Sequence, residues 1–409
     1  MDQHTQETER PELLSDLTNF AAQLSERFAD EEDVRLFFSP GRVSLMGAHL
    51  DYNGGPVMPT AIDRGTFLAL RLRGDRRVRL SSTLDSGIVE LELGALPEHR
   101  LDHWADYPIG VTAQLESLAR ERGAERSLSG FDLHFGGNLP IGAGLSSSAS
   151  MCVGTAYALN TAWDLDCSKQ DIVEAALHAE RTHVGVQCGI MDPYAVGYSK
   201  PGALLWLDCK DATVGHMPFD TDKLIIVVAD TGVRRELARS EFNLRVRQCA
   251  ESFAELRKLH PKASCLRDIP LAALENAACS LDEVHRKRAR HVLEEVVRTF
   301  EARAALEAGD AAGFGARMTA AHASLRDLFE VSCPELDLLV EEATAVSGVL
   351  GARLTGAGFG GCVVILAEKA ALVPLKKHLQ ERFRVAFGTD PKIMSFLGDR
   401  GPREIILRD

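Results

Sequence analysis

The sequence predicts an α+β protein of two domains, and three observations lead to this prediction. Its 409 residues exceed the usual size of a single domain. Stretches with strand periodicity and stretches with helix periodicity are mixed in both halves of the chain. A polar stretch at 208–220 separates the two blocks. We therefore expect an N-terminal helical extension over 1–34, a first domain over 35–212 and a second domain over 213–409.

The elements follow from the spacing of apolar residues, which is three or four in helices and two in half-buried strands, whereas buried strands are continuous apolar runs. In the first block we predict helices over 12–30, 109–120, 149–163 and 169–182, and strands over 35–45, 58–63, 66–72, 77–82, 89–93, 131–135 and 203–207. In the second block we predict helices over 235–260, 282–309, 312–328, 334–343 and 370–383, and strands over 224–229, 351–354, 362–366 and 393–396.

Composition excludes several classes of protein. The chain is 45% hydrophobic, so it can bury large cores and is not expected to be disordered. Its net charge of −13 disfavours a nucleic-acid or anionic-membrane surface. The nine cysteines are scattered without a CxxC pair, which indicates reduced thiols in the cytoplasm and not a zinc site. Neither a signal peptide nor an 18-residue apolar run is visible, so we expect a cytoplasmic protein that does not contact membranes.

Three glycine-rich stretches are the most informative feature of the chain. We call them the first glycine segment (41–55, GRVSLMGAHLDYNGG), the second glycine segment (140–150, PIGAGLSSSAS) and the third glycine segment (354–361, LTGAGFGG). Each alone is a weak signal. Together they predict a chain that folds back on itself so that several glycine turns meet at one anionic ligand.

The second glycine segment has the features of a phosphate-binding turn. It follows a predicted strand and precedes a predicted helix, whose first N–H groups lack internal partners and carry partial positive charge. Gly142 and Gly144 would allow close approach of a phosphate, and Ser146 to Ser148 offer hydroxyls. It is neither a Walker A nor a Rossmann sequence. A serine-capped helix after a flexible loop is an equally acceptable interpretation of this segment alone.

The ordered set of segments resembles the GHMP small-molecule kinases. The first glycine segment is similar to the galactokinase signature, and Cys188-Gly189-Ile190-Met191-Asp192 is similar to the galactokinase active-site stretch. The resemblance implies an N-terminal domain like ribosomal protein S5 domain 2 and a ferredoxin-like C-terminal domain, with the active site in the cleft between them. It implies transfer of the γ-phosphoryl group of ATP to the C1 hydroxyl of a sugar with Mg²⁺, by a monomer whose partners are the small-molecule sugar and ATP.

The same resemblance assigns roles to individual residues. Arg42 and Asp192 would be catalytic, and Ser148 and Glu180 would hold Mg²⁺. The sugar would contact position 48, His49, Asp51, Gly189 and Phe242. The nucleotide would contact Trp104, Tyr107, Pro140, Gly142, Gly144, Leu145, Ser146, Ser147, Ser148, Gly356 and Gly358. The structural alternatives are a simple salt bridge for Arg42, a turn-capping Asp192, core or surface aromatic residues at 104 and 107, and a tight turn at the third segment.

Three positions depart from the galactokinase pattern. Ala48 stands where the family usually has a glutamate that accepts a hydrogen bond from the C6 hydroxyl of the sugar, and the Gly-Ala-His form resembles galacturonate kinases. Phe242 replaces a tyrosine, and Pro193 replaces a glutamine. Galactose and galacturonate therefore both stay open as substrates, with arabinose and N-acetylgalactosamine as further sugars. A non-catalytic sugar and ATP sensor is the alternative function.

Overall fold

The computed structural model describes residues 9–24, 33–124, 128–140, 144–234, 238–276 and 280–407. Its helices are α1 (Pro11–Ala21), α2 (Asp106–Glu121), α3 (Ser147–Trp163), α4 (Lys169–His178), α5 (Met191–Tyr198), α6 (Ala238–Leu259), α7 (Glu283–Glu307), α8 (Ala311–Asp327), α9 (Pro334–Thr344) and α10 (Leu372–Phe387). Its strands are β1 (Arg35–Met46), β2 (Pro56–Leu72), β3 (Arg77–Ser82), β4 (Asp85–Glu92), β5 (Phe131–Gly137), β6 (Ala203–Asp208), β7 (Thr213–Pro218), β8 (Leu224–Asp230), β9 (Val349–Thr355), β10 (Cys362–Glu368), β11 (Lys392–Phe396) and β12 (Arg403–Ile405).

The first sheet has the strand order β12-β1-β2-β5-β3-β4, and β6 and β7 extend it from the start of β2. β3 and β5 run parallel, whereas the other neighbouring strands of this sheet are antiparallel. Successive side chains of a strand point to opposite faces. Phe37 accordingly packs under α2 and α3, while its neighbours Leu36 and Phe38 pack against Leu17 and Phe20 of α1. Both faces of this sheet are therefore covered by helices.

The second sheet is antiparallel, with the order β11-β8-β10-β9. Successive side chains of each strand again point to opposite faces of the sheet. Val227 and Ile365 belong to the core formed with α9 and α10, whereas Val228 and Val364 face the other way. This second face meets β1 residues such as Val43, so one apolar core joins the two sheets. The two-domain α+β arrangement places the glycine segments at the junction between the sheets.

The chain differs from the sequence prediction at particular places. The strands predicted over 58–63 and 66–72 are one strand, β2, because the chain between them stays paired with β1, as Gly65 with Pro40. The short elements α5, β7 and β12 were not predicted. β7 pairs with β6, and β12 pairs with β1, so the first sheet takes strands from both sides of the boundary predicted after residue 212. That boundary stays a prediction.

Part of the helix predicted over 12–30 lies outside the described residues, and so do Gly142 and residues 235–237 at the start of another predicted helix. Within the described ranges, the structure contains no helix of the length and apolarity that a membrane span requires.

Candidate active site

Arg42 lies on β1 beside a β-bulge, where the register with β2 shifts between Pro40 and Arg42. Bulges re-aim side chains and are common next to active sites. The Arg42 residue is only 5% exposed. Its backbone N–H donates to the Leu145 carbonyl at 3.1 Å, and its Nη1 donates to the Gly144 carbonyl at 2.7 Å. Arg42 thus fixes the second glycine segment against β1.

The Arg42 guanidinium also forms a bidentate ion pair with Asp192. Nε and Nη2 each donate to one carboxylate oxygen at 2.7 Å. The Ser146 hydroxyl donates to the same carboxylate at 2.5 Å. Asp192 lies in the first turn of α5 and its side chain is 28% exposed, so it can still be reached from the cleft. The structure therefore brings together the two predicted catalytic residues and the second glycine segment.

The second glycine segment leads directly into α3. Ser146 is the residue before the helix and has a left-handed backbone, with φ +57°. Its hydroxyl binds Asp192 and does not cap α3, so no side chain caps the helix at this position. Ser147 is exposed and Ser148 is half-buried, whereas Leu145 is buried. The uncapped N-terminus can therefore accept an anion such as phosphate. Pro140, the first residue of the segment, is half-buried.

The third glycine segment faces the second. A Cβ built on Gly144 would lie 3.7 Å from Gly356 Cα, and both glycines have left-handed backbones with φ +69° and +81°. Gly358 cannot carry a side chain, because its Cβ would lie 2.3 Å from the Val331 carbonyl oxygen. These glycines allow two turns from opposite ends of the chain to approach the same space.

Glu180 lies behind the start of α3, on a π-helical turn over Ala179–His183 that continues α4. Such π turns often occur at functional sites. The Glu180 carboxylate is 4% exposed and accepts a hydrogen bond from the Ser148 hydroxyl. Burial raises the pKa of Glu180 to about 7, and the Asp192 carboxylate adds to this, while Arg42 opposes it. A buried carboxylate beside a hydroxyl would be stabilised by a bound cation.

The first glycine segment forms a compact polar turn around His49, whose φ is +61°. The Tyr52 hydroxyl lies 2.9 Å from His49 Nδ1, and the Asn53 side chain donates to the His49 carbonyl at 2.8 Å. The predicted sugar residue Phe242 packs against both rings, with centroids 5.8 Å from each. Burial, together with the Arg353 and Arg245 guanidinium groups, lowers the pKa of His49 to about 3, so its ring is neutral.

Asp51 and Gly189 are in direct contact. A Cβ on Gly189 would lie 1.8 Å from Asp51 Oδ2, so the close approach requires glycine. Burial, and then the Asp192 carboxylate, raise the pKa of Asp51 to about 6, whereas Arg42 lowers it. Asp51 therefore lies within electrostatic range of the Arg42–Asp192 ion pair. At Asp51 the first glycine segment contacts the 188–192 stretch.

The two aromatic residues predicted at the nucleotide lie on the approach to α2. Trp104 packs edge-on against Phe135, with centroids 5.6 Å apart, near the end of the strand that leads to the second glycine segment. Its indole N–H donates to Asp85 at 3.0 Å. Tyr107 is half-buried, and its backbone N–H donates to the Trp104 carbonyl at 3.4 Å. Both rings contact the first-domain core.

Sequence reasoning missed a buried polar layer beneath these groups. Arg353 is fully buried, donates to the Ser44 carbonyl at 2.9 Å, and keeps Nε and Nη1 without a hydrogen-bond partner among the described residues. Glu295 is also fully buried and accepts from the Gly47 N–H at 3.2 Å. The ring of Phe329 lies 4.7 Å from that of His49. An arginine inside an apolar strand, directly before a glycine segment, is the signal that could have revealed Arg353.

Comparison with known proteins decides the family. A model of the GHMP kinase N-terminal domain matches residues 110–200, and a model of the GHMP kinase C-terminal domain matches 302–385. The galactokinase galactose-binding signature matches 22–72. The chain is 37% identical to a galactokinase of Clostridium beijerinckii over 396 residues, which covers 96% of this chain and 98% of the relative. The chain belongs to the galactokinase family of the GHMP kinases.

Other relatives agree with this assignment. A galactokinase of Roseiflexus sp. is 38% identical over 371 residues, covering 90% of this chain and 92% of the relative. The crystal structure of Lactococcus lactis galactokinase complexed with galactose superposes with a TM-score of 0.89 at 32% identity, over 95% of this chain and 100% of that one. A mevalonate kinase of Methanococcus jannaschii, at a TM-score of 0.63 and 19% identity, shares the fold over 90% of this chain and 99% of its own. The predicted family, the two-domain α+β fold and the class of phosphotransferase with an alcohol acceptor are confirmed.

Proposed function

We propose that this galactokinase-family protein transfers the γ-phosphoryl group of ATP to the anomeric C1 hydroxyl of a galactose-configured hexose, giving the sugar 1-phosphate and ADP. The observation that carries the proposal is the bidentate Arg42–Asp192 ion pair, which is bound on one side to Ser146 of the second glycine segment. It places a carboxylate and a guanidinium between the phosphate-binding turn and the Asp51–Gly189 contact.

Phosphoryl transfer depends on positioning and charge neutralisation more than on covalent chemistry. In our proposal Asp192 orients the C1 hydroxyl and accepts its proton. The carboxylate already accepts three hydrogen bonds, two from Arg42 and one from Ser146, and a carboxylate has about four acceptor positions. Arg42 would hold this carboxylate in place and stabilise negative charge on the γ-phosphoryl group.

The proposed nucleotide site uses the space between the second and third glycine segments. The N–H groups of the uncapped α3 N-terminus would donate to the phosphate oxygens, and Gly144 and Gly356 leave room for their approach. Trp104 and Tyr107 would contact the adenine ring. This placement is supported by the packing of Trp104 on Phe135, close to where the second segment begins.

Ser148 and Glu180 would hold the Mg²⁺ ion that accompanies ATP. The pair fits a magnesium site, because the hydroxyl and the carboxylate are already in contact and the carboxylate is buried, where a cation would stabilise its charge. One carboxylate suffices, since Mg²⁺ usually keeps waters and substrate phosphate oxygens as its other ligands. The ion would neutralise charge on the phosphate oxygens.

The sugar would lie over Gly189, with its hydroxyls toward His49 and Asp51 and one face toward Phe242. The neutral His49 ring and the Asp51 carboxylate offer a mixture of donors and acceptors that suits a ring of hydroxyl groups. The Lactococcus lactis relative, solved with galactose, supports a galactose-configured ligand.

We propose that the sugar pocket around C6 accepts a carboxylate, or a ring carbon without a substituent, as well as a hydroxymethyl group. Ala48 is buried beside His49 and carries no charge. An uncharged side chain at this position does not repel an anionic group at C6, which supports galacturonate as the second candidate substrate.

The deciding experiment is ADP release with galactose, galacturonate, arabinose and N-acetylgalactosamine. Turnover of a galactose-configured sugar supports the kinase, whereas a thermal shift with sugar and ATP but no turnover supports the non-catalytic sensor. A kcat/KM for galactose more than about a hundredfold above that for galacturonate would overturn the C6 proposal. Ala48→Glu should shift the preference toward galactose, and an unchanged ratio would contradict our reading of position 48.

A further inference from the structure

Arg245 is a buried cation outside the set of residues discussed for catalysis. It lies on α6 one turn after Phe242 and is 6% exposed. Its Nε donates to the Phe329 carbonyl and its Nη2 to the Glu330 carbonyl, each at 2.9 Å. The carboxylate of Glu241 is more distant, at 3.5 Å. Burial lowers the pKa of Arg245, which shows that this placement is unfavourable for a charge.

Both carbonyls belong to the turn over 328–331, which reaches the sugar side of the cleft. Glu330 has a left-handed backbone, with φ +54°, an uncommon conformation for a residue other than glycine. The ring of Phe329 is fully buried and lies 4.7 Å from His49 and 4.5 Å from His291. Arg288 also binds this turn, through the Leu328 carbonyl and the Glu330 carboxylate at 2.6 Å each. Arg245 holds the part of the turn that places Phe329 under His49, because it binds the Phe329 and Glu330 carbonyls.

The same turn also contacts the third glycine segment. The Val331 carbonyl accepts the Phe359 N–H at 2.7 Å and closes over Gly358. The guanidinium carbon of Arg245 lies 5.4 Å from the centroid of the Phe359 ring, within the range of a cation–π contact. Arg245 therefore contacts the turn through two hydrogen bonds and the third glycine segment through its charge.

We propose that Arg245 is a positioning residue that couples occupancy of the sugar pocket to the placement of the third glycine segment. A sugar bound against His49 and Phe242 fixes the ring of Phe329 and the start of α6, and Arg245 ties both to Phe359. The third glycine segment, which faces Gly144 across the proposed phosphate site, is therefore ordered when the sugar is bound. The inference rests on the proposed function, which assigns the two pockets.

The test compares Arg245→Met and Arg245→Lys with the wild-type protein. The methionine removes the charge and both hydrogen bonds. The lysine keeps the charge but loses the planar guanidinium group that donates to two carbonyls at once. A matched control is Arg403→Met. Arg403 is also buried, at 8% exposure, and its guanidinium carbon lies 4.8 Å from the centroid of the Phe38 ring, but it lies on β12 and is bound to Glu9. It therefore reports the general effect of losing a buried arginine.

The first readout is sugar affinity with and without a non-hydrolysable ATP analogue. The wild type should bind sugar at least roughly fivefold more tightly with the analogue, and Arg245→Met should bring this ratio close to one. Arg245→Met should also raise the sugar KM at least about tenfold. Arg403→Met should lower the melting temperature and leave the ratio unchanged. If Arg245→Met showed the same ratio of sugar affinities, with and without the analogue, as the wild type, the inference would be overturned.

The second readout is amide hydrogen exchange without ligands. Arg245→Met should speed exchange of the Phe359 N–H relative to Arg403→Met, because the turn that accepts this hydrogen bond is then held by Arg288 alone of the two arginines. Equal exchange in the two variants overturns the inference. This measurement separates the two proposals: a wild type that turns over no sugar refutes the proposed function, while the exchange rates still decide whether Arg245 places the third glycine segment.

Discussion

Replacing Arg42 with lysine keeps the positive charge but removes the planar guanidinium group and its set of directed hydrogen bonds. The Arg42 guanidinium makes three hydrogen bonds of 2.7 Å, two to the Asp192 carboxylate and one to the Gly144 carbonyl. A lysine ammonium is a point donor on a flexible stem and cannot span the two carboxylate oxygens and the carbonyl together. We expect Arg42→Lys to fold and to lose most of its activity.

The size of the loss follows from the contacts. All three hydrogen bonds of the Arg42 side chain involve its charged guanidinium, and a buried hydrogen bond of this kind contributes ~1.5–3 kcal/mol. Losing one bond to the carboxylate and the bond to the carbonyl from the transition state amounts to ~3–6 kcal/mol, which corresponds to a fall in kcat/KM of roughly 10²- to 10⁴-fold. The effect should appear mainly in kcat, because the proposed function has Arg42 act on the transferring phosphoryl group and on the Asp192 carboxylate.

Steady-state ADP release, with sugar and ATP varied in turn, measures this loss. The matched control is Arg35→Lys on the same strand, since Arg35 also forms a bidentate pair at 2.7 Å, with Glu404, but lies away from the cleft. It should stay within about twofold of the wild type. A folded Arg42→Lys protein with less than about a fivefold loss would refute the reasoning, and an equal loss in both variants would assign the effect to stability.

Three further outcomes follow from the same site. The pKa of Asp51, raised to about 6, means that this carboxyl gains a proton as the pH falls through that value, so kcat/KM for the sugar should decline along an acid limb there and Asp51→Asn should remove the limb. A pH profile without that limb in the wild type would contradict the assignment. Gly189→Ala places a Cβ 1.8 Å from Asp51 Oδ2 and should raise the sugar KM at least roughly tenfold with little change in the ATP KM, and an unaltered sugar KM would count against it. Glu180→Gln should raise the Mg²⁺ concentration for half-maximal activity at least about tenfold, and the same requirement as in the wild type would exclude Glu180 as a ligand.

The sequence predicted most of the regular elements because their apolar periodicity is local. It missed α5, β7 and β12, which are short, and β12 has only three residues in which to show a pattern. It also divided β2 at 64–65, where the strand in fact continues and Gly65 pairs with Pro40 of β1. A pairing partner on another strand lies outside any window that periodicity can scan.

The glycine segments could be located for a similar reason, because their glycines and serines stand together in the chain. The distant residues that hydrogen-bond to these segments or to their neighbouring turns could not be located in this way. Arg245 bonds to a carbonyl 84 positions away, and Glu295 accepts from Gly47, 248 positions away. Contacts of this range depend on how the two sheets pack, which no local pattern records. The Arg42–Asp192 pairing, 150 positions apart, could be proposed only through the family resemblance.

The pairing of β12 with β1 has a consequence for biosynthesis. β1 carries Arg42, yet the strand that covers its outer edge, Arg403–Ile405, is synthesised only after all four strands of the second sheet. Until then β1 presents an open row of backbone donors and acceptors to other nascent chains. Completion of the first sheet therefore waits for the second, and a chain cut before residue 403 should aggregate more readily even though every proposed catalytic side chain is present.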